Sequence, residues 1–278
     1  MMLSVIIPTC DRNELLSRCL DQLAPGIQSI AEEMYEVIVT DDSKASAAES
    51  LIQSNYTWVR YIKGPVRGPA ANRNNGSKHA NAGWLVFVDD DCIPDKNLLN
   101  EYLNGINSNP SCLAFEGAIY PDDENLLQKD MAECPVNTNG GCFWSANICV
   151  NAKLFKEIGG FDEDFIIAAQ EDQFLYYLLK QRTAVEFLPA ASVTHAVRFV
   201  ALNKKLNGNI TAVKNWLLYS KKKGIPATEI IKTGYRFQCT SLFRNIKSLK
   251  IKSIILNIHT IIIALPFVIL NNAKSKLR

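Results

Sequence analysis

The chain has 278 residues, a formal net charge of +2 and 47% hydrophobic side chains. That length can bury a full-sized core and allows one large domain or one domain plus an appendage. The charge is unevenly placed: residues 1–195 hold 14 Lys/Arg and 27 Asp/Glu, whereas residues 196–278 hold 16 Lys/Arg and a single acid, Glu229. We therefore expect an acidic domain over 1–195 and a basic segment over 196–278, facing different partners.

The first expected strand is Leu3 to Ile7, stopped by Pro8-Thr9. It is too short for a secretory signal and runs straight into the fold. Asp11 is the expected N-cap of a helix over 13–23, whose Leu15, Leu16, Cys19, Leu20 and Leu23 form one apolar face. Further strands are expected at 35–40, 58–62 and 84–88, with a Gly/Pro-rich loop at 64–69 leading into a helix over 71–79. Strands alternating with helices at this spacing predict right-handed βαβ units, an α/β fold with a mostly parallel sheet. A helix near 97–106, a strand near 113–119 and a polar loop at 122–130 follow. The small and aromatic stretch 139–147 suits close approach of a ligand to backbone. A helix over 152–158 ends at Gly159-Gly160, an apolar helix follows Gln170-Glu171-Asp172 and runs through Leu179, and Val185–Leu188 and Ser192–His195 close the acidic part. The eight cysteines form no C-x-x-C pair and no His/Cys ligand spacing, which points to reduced, mostly buried thiols in a cytosolic protein.

The apolar run Trp84-Leu85-Val86-Phe87-Val88 ends abruptly in Asp89-Asp90-Asp91. Three adjacent carboxylates repel one another, and either a bound cation or a solvated turn relieves them. A second strand end carries Asp41-Asp42, and in open α/β sheets ligands sit at the carboxyl ends of the strands.

The order of these features carries a resemblance. Ser4-Val5-Ile6-Ile7-Pro8-Thr9-Cys10-Asp11-Arg12 is similar to the opening signature of family 2 glycosyltransferases, a VSVIIPTYNR-type string. Val37-Ile38-Val39-Thr40-Asp41-Asp42-Ser43 resembles that family's second strand, and Arg67 with Arg73-Asn74-Asn75-Gly76 resembles its ARNxG segment. Phe87-Val88-Asp89-Asp90-Asp91 resembles its DXD metal motif, and Gly159-Gly160-Phe161-Asp162-Glu163 followed by Gln170-Glu171-Asp172 its GGFDE…ED pattern. Cys10 stands where the family often has Tyr, and Ser43-Lys44 replaces the usual Gly-Ser.

The resemblance, which covers about residues 3–195, implies the GT-A nucleotide-diphospho-sugar transferase fold over 1–195; the charge and apolar run of 196–278 separately suggest a basic, helical segment that associates with a membrane. It implies a nucleotide-sugar donor (a UDP-sugar is favoured) and Mn²⁺ or Mg²⁺, a hard cation that neutralises the departing diphosphate. The implied metal ligands are Asp91 first, then Asp89 and His195. Asp89 and Asp90 are also implied to contact ribose, Asp41 and Asp42 to meet the base, and Pro8, Thr9, Asp11, Arg67 and Asn74 to complete the donor site. Asp172 is implied to be the base that deprotonates an acceptor hydroxyl in an inverting transfer, with Glu171 orienting the acceptor. A lipid-linked or surface-polysaccharide acceptor at the inner face of the cytoplasmic membrane is expected, and nucleic acid is not. The competing class is a catalytically degenerate scaffold with the same fold; intact Asp42, Asp89, Asp91 and Asp172 speak against it.

The basic segment is expected to be helical over about 202–223 and 227–243. It then runs into an apolar stretch from Ser253 to Leu270, broken by Asn257, His259, Thr260 and Pro266 and flanked by Lys247, Lys250, Lys252, Lys274, Lys276 and Arg278. A spanning helix, a helix lying in the membrane interface and a buried helix all remain open; the interruptions and flanking cations fit the interface best.

Overall fold

A computed structural model describes residues 2–269. Its elements in chain order are β1 Leu3–Thr9, α1 Asn13–Leu23, β2 Tyr35–Asp41, α2 Glu49–Asn55, β3 Arg60–Lys63, α3 Pro69–Lys78, β4 Trp84–Val88, β5 Cys92–Pro94, α4 Leu98–Ser108 and β6 Ala114–Pro121. There follow α5 Glu124–Leu127, β7 Ala132–Glu133, β8 Asn147–Asn151, α6 Ala152–Glu157, α7 Glu171–Leu179, β9 Val185–His195, β10 Arg198–Phe199, α8 Leu202–Lys222, α9 Ala227–Lys247 and α10 Ile251–His259. They form two compact units. One comprises residues up to Asp122 with Pro135–Ala196, the other Asp123–Cys134 with residues from Val197 onward. The polar loop at 122–130, read from sequence within the first domain, thus groups almost entirely with the helical unit.

The first unit is one eight-stranded sheet in the order β3-β2-β1-β4-β8-β6-β9-β5. β3, β2, β1 and β4 are parallel, as are β6 and β9, while β8 and β5 run antiparallel to their neighbours. The strands read as unbroken apolar runs because both faces are covered. Val5, Ile7, Val37, Val39, Val86 and Val88 enter one core with Leu16, Leu20 and Tyr102. Ile6, Ile38, Leu85 and Phe87 enter the other with Phe143, Phe155, Phe161 and Leu175.

Three sequence expectations are corrected. Asp11 does not cap α1: it lies in the left-handed region (φ 54), and Arg12 takes the cap position without a side-chain cap bond. The two short strands at 185–188 and 192–195 are one strand, because the β6–β9 register jumps from Gly117↔Leu188 to Ala118↔Ser192 and the intervening residues bulge out. The third strand begins at Arg60 rather than Trp58.

In the second unit, Asp123 caps the short α5 by accepting from the N–H groups of Asn125 (2.7 Å) and Leu126 (3.2 Å). β7 and β10 form an antiparallel ribbon, and Lys205 pairs with Glu133. Asp130 accepts from the backbone N–H of Lys252 (2.7 Å) and Ser253 (3.2 Å), covering the open first turn of α10. α10 continues through a π-turn at Thr260–Ala264, and the helix reaches residue 269. Val213, Ala264, Leu265 and Val268 form a small core with Trp216 and Tyr235 around it. Lys274, Lys276 and Arg278 lie outside the described residues, as does Leu270.

Candidate active site

The parallel strands deliver their acids to one edge. β1 ends at Thr9, β2 at Asp41, and β4 runs directly into Asp89. Thr9 Oγ1 donates to Asp90 Oδ2 (2.7 Å), and the Arg12 guanidinium straddles Asp90 Oδ1 (2.6 Å) and Asp91 Oδ2 (3.1 Å). Asp90 is wholly buried, and burial lifts its carboxyl to about 7 even though Arg12 and Thr9 oppose the shift. Its oxygens are engaged by Thr9 and Arg12 within the framework beneath the strand ends.

β5 pairs with β9 so that Cys92 stands opposite His195, which brings the imidazole to Asp91. His195 Nε2 is 3.1 Å from Asp91 Oδ1, and Nδ1 is 2.9 Å from the Ala196 carbonyl. The carbonyl can only accept, so Nδ1 carries a proton and Nε2 of a neutral ring presents a lone pair to a carboxylate oxygen. Two acceptors facing each other require a proton or a cation between them. A ring nitrogen donating to a backbone carbonyl is also how metal-binding histidines are held. Cys92 completes a cluster of three possible ligand atoms within 4.8 Å of one another. Burial pushes its thiol well above the usual range, leaving a carboxylate and an imidazole as the effective donors, a set that fits Mn²⁺ or Mg²⁺. Asp89 is not in this cluster; it pairs with Arg73 (2.7 Å) instead.

At the β2 end, Asp41 is buried and accepts from the N–H of Ser43 and of Ala48, both at 2.9 Å. It ties the turn after the strand and does not line the pocket. Asp42 accepts from the N–H groups of Val66 (2.6 Å) and Gly68 (2.8 Å), fixing the loop that carries Arg67. Gly68 has φ +93, and a Cβ there would lie 2.3 Å from the Ile166 carbonyl oxygen, so only glycine fits. Cys10, Asp11, Asp42, Lys44, Ala45, Val66 and Gly68 surround an open pocket of about 400 Å³. Pro8 is buried behind it.

A second open cleft, of about 310 Å³, is lined by Arg73, Asp89, Trp144, Gln170, Glu171 and Asp172, among others. Arg73, buried on α3, reaches Asp89 with one terminal nitrogen and Glu171 (3.3 Å) with the other, and its guanidinium lies over the Phe161 ring at 5.5 Å. Asp172 Oδ1 accepts from the Gln173 N–H (2.7 Å). Burial first, and the Glu171 charge second, raise the Asp172 carboxyl to about 7. Glu171 is also raised, chiefly by burial. Glu116 shapes the wall by accepting from Gly141 (2.5 Å), Phe143 (2.7 Å) and Asn137 (3.0 Å), and Gln173 donates to the Cys142 carbonyl (2.7 Å).

The residues singled out from sequence thus divide. Asp91 and His195 meet, and Asp89, Glu171 and Asp172 share a cleft. Asn74 donates to the Phe161 carbonyl (2.7 Å) and accepts from its N–H (2.9 Å), which anchors the Gly-Gly-Phe-Asp-Glu loop, and it lines a further open pocket with Gly160 and Glu163. Exposed Arg67 pairs with Glu163 of that loop (2.9 Å). Arg12 and Arg73 were present in the quoted motifs without a role. Their signal is that each is a cation beside an otherwise acidic edge.

The glycosyl transferase family 2 model matches residues 4–169. Validoxylamine A glucosyltransferase of Streptomyces hygroscopicus subsp. limoneus is 27% identical over 217 residues, covering 64% of this chain and 48% of its own. The GalNAc(5)-diNAcBac-PP-undecaprenol beta-1,3-glucosyltransferase of Campylobacter jejuni is 29% identical over 133 residues, 46% of this chain and 39% of its own. The chain spans about half or less of the length of these relatives. Among solved structures, the mannosyltransferase PcManGT of Pyrobaculum calidifontis, in complex with GDP-Man and Mn²⁺, superposes with a TM-score of 0.60 at 16% identity, covering 98% of this chain and 73% of that one. The sheet order, the acidic strand ends and a family match over more than half of the residues agree: the chain belongs to glycosyl transferase family 2.

Proposed function

We propose that the chain is a metal-dependent inverting glycosyltransferase. It takes a sugar from a nucleotide-diphosphate donor, with UDP-sugars favoured, and places it on a hydroxyl of a lipid-linked or surface-polysaccharide glycan at the inner face of the cytoplasmic membrane. The observation that carries the reading is that the acids following β4 build both an Asp91–His195 pair and, through Asp89, the Arg73–Glu171–Asp172 cleft. The named relatives are glucosyltransferases, one of them acting on an undecaprenol-linked glycan by its name, and PcManGT holds a nucleotide sugar with Mn²⁺.

Asp91 and His195 would hold the divalent cation, which would supply neutralisation of charge on the departing diphosphate. The pocket at Asp11, Asp42 and Val66 receives the nucleoside. Each Asp42 oxygen is engaged by one N–H and keeps a second lone pair, which suits the imide N–H of uracil. Asp172 accepts the proton of the acceptor hydroxyl as that oxygen attacks the anomeric carbon opposite the leaving group. A carboxyl raised to about 7 is matched to that task near neutral pH. Arg73 pairs with Glu171 and Asp89 and holds both carboxylates in place.

The test is donor hydrolysis over a panel of UDP-, GDP- and dTDP-sugars, with Mn²⁺ or with EDTA, beside Asp91→Ala and Asp172→Asn. Metal-dependent turnover of one donor, lost in Asp91→Ala, supports the reading. Absence of both turnover and calorimetric binding for every nucleotide sugar overturns it.

A further inference from the structure

The second unit exposes a concentration of large apolar side chains. On and after α9 these are Phe237 (63% exposed), Phe243 (67%), Ile246 (48%) and Leu249 (82%), and along the final helix Ile251, Ile255, Ile258, Ile262, Ile263 and Phe267. Residues 251, 255, 258 and 262 recur at helical spacing and make one stripe. The π-turn at Thr260–Ala264 inserts an extra residue into the helical phase, which swings Ile263 and Phe267 back toward that stripe. The opposite face is already occupied: Ala264, Leu265 and Val268 pack in the small core with Val213, and the polar side chains before them are hydrogen-bonded. Asn257 donates to Gln238 (2.8 Å) and accepts from Asn245 (2.7 Å) on α9, while Asn209 of α8 donates to Thr260 (2.8 Å) and lies 2.9 Å from His259 Nδ1.

Length alone would let this helix cross a bilayer: Ile251–Ile269 is 19 residues with mean hydropathy 1.9, about 28 Å of helix. Its partners argue against it. Those side-chain bonds tie it to α8 and α9, and α9 carries exposed Lys232, Arg236, Arg244 and Lys247, which a spanning arrangement would draw into hydrocarbon. Arg244, Lys247, Lys250 and Lys252 instead interleave with Phe243, Ile246, Leu249 and Ile251 at the α9–α10 corner. At its tip Leu249 holds a left-handed φ of 52, a strained conformation for a branched residue that is also the most exposed large hydrophobic residue described.

We propose that the α9–α10 hairpin docks flat on an anionic bilayer, its isoleucine stripe and the Leu249 corner among the acyl chains and the four corner cations at the lipid phosphates. Charge complementarity selects this occupant. A protein groove would cover the stripe but leave the alternating cations unmatched, whereas an anionic headgroup layer over acyl chains meets both. The inference gives a surface to the membrane placement in the proposed function and is independent of the transfer chemistry.

The experiment is vesicle flotation of the full chain with phosphatidylcholine alone and with added phosphatidylglycerol, at low and at high salt. We expect binding to anionic vesicles only, lost progressively with salt, and weakened about fivefold for each of Arg244, Lys247 and Lys250 changed to Gln. Ile255→Asp and Ile258→Asp, both at solvent-exposed positions, weaken it at least about tenfold each with an unchanged thermal transition. Depth-dependent bromolipid quenching of Ile251→Trp and Ile262→Trp, taken as the difference from the unsubstituted chain, places both at one shallow depth. No flotation at low salt overturns the proposal, as does binding indifferent to the two Asp variants, which is adsorption by charge alone. A steep depth difference between the two reporters overturns it in favour of a spanning helix. A dimer broken by Ile258→Asp, with no vesicle binding, overturns it in favour of a second copy of the chain. Donor hydrolysis in vesicle-free buffer separates the two readings: its absence beside intact flotation faults the transferase assignment only.

Discussion

Arg73 bridges Asp89 and Glu171, its two terminal nitrogens 2.7 and 3.3 Å from carboxylates that lie 82 positions apart in the sequence. It is nearly sealed from solvent, with a side chain 5% exposed. The pair of contacts links the end of β4 with the start of α7. Removing the guanidinium leaves one buried and one half-buried acid uncompensated, and breaking such a buried pair costs about 3–5 kcal/mol. We therefore expect Arg73→Ala to lose about that much stability in urea denaturation. Arg73→Lys recovers only a part, because one ammonium cannot reproduce a planar fork reaching two carboxylates. Equal stability of Arg73→Lys and the unsubstituted chain would contradict this.

The second prediction concerns Asp172 and pH. A base must be ionised to act, and this carboxyl titrates at about 7, so kcat/KM should climb about tenfold per pH unit below 7 and level off above it. Asp172→Asn should lower kcat/KM by about 10²–10⁴ and abolish that limb while nucleotide binding by calorimetry stays intact. The sign for folding is opposite. The unfolded carboxyl ionises near 3.8, so between about pH 4 and 7 the folded state holds a proton that the unfolded state has lost. This group's contribution therefore falls as pH rises through that window, and Asp172→Asn should flatten the decline in a series of thermal melts.

Much of this arrangement is legible in the sequence. α1 and β4 have the bounds that periodicity predicts, because a buried amphipathic face and an all-apolar run leave no alternative period. The acid clusters at Asp41-Asp42 and Asp89-Asp90-Asp91 mark the functional edge for the same reason: strand ends in a parallel sheet converge. What is not legible is which acid faces the cleft. Adjacent aspartates alternate between framework and surface according to local turns. Asp41 and Asp90 are sealed inside, while Asp42 and Asp89 are partly exposed, and no spacing rule separates them. The antiparallel strand β8 was hidden as well. Its five residues are bounded by Asn147 and Asn151, and they pair with β4 across a long stretch of chain that no local pattern encodes.

His195 and Asp91 support a prediction about metal affinity. With Nδ1 committed to the Ala196 carbonyl, Nε2 is the only ring nitrogen directed at Asp91. His195→Ala should raise the Mn²⁺ concentration for half-maximal donor turnover by at least about tenfold. His195→Gln, whose amide oxygen supplies a hard ligand, should lose less. Identical metal titrations for the three proteins would remove His195 from the metal site.

Asp42 offers a sharper discrimination than an alanine change. Both of its oxygens accept backbone N–H groups, from Val66 and from Gly68. In Asp42→Asn one of those oxygens becomes an NH₂ group that must face an N–H, so a nearly isosteric substitution breaks a bond and sets donor against donor. A lost hydrogen bond to a charged group is worth about 1.5–3 kcal/mol. We expect Asp42→Asn to loosen the Val66–Gly68 loop and to raise KM for the nucleotide sugar by about ten- to a hundredfold, with kcat changed far less. Gly68→Ala should reproduce this from the other side, since its Cβ would collide with the Ile166 carbonyl and displace the same loop. Both variants shift the loop without touching Asp172, so the kcat/KM limb near pH 7 should survive in each; its disappearance would show that the loop also governs the base.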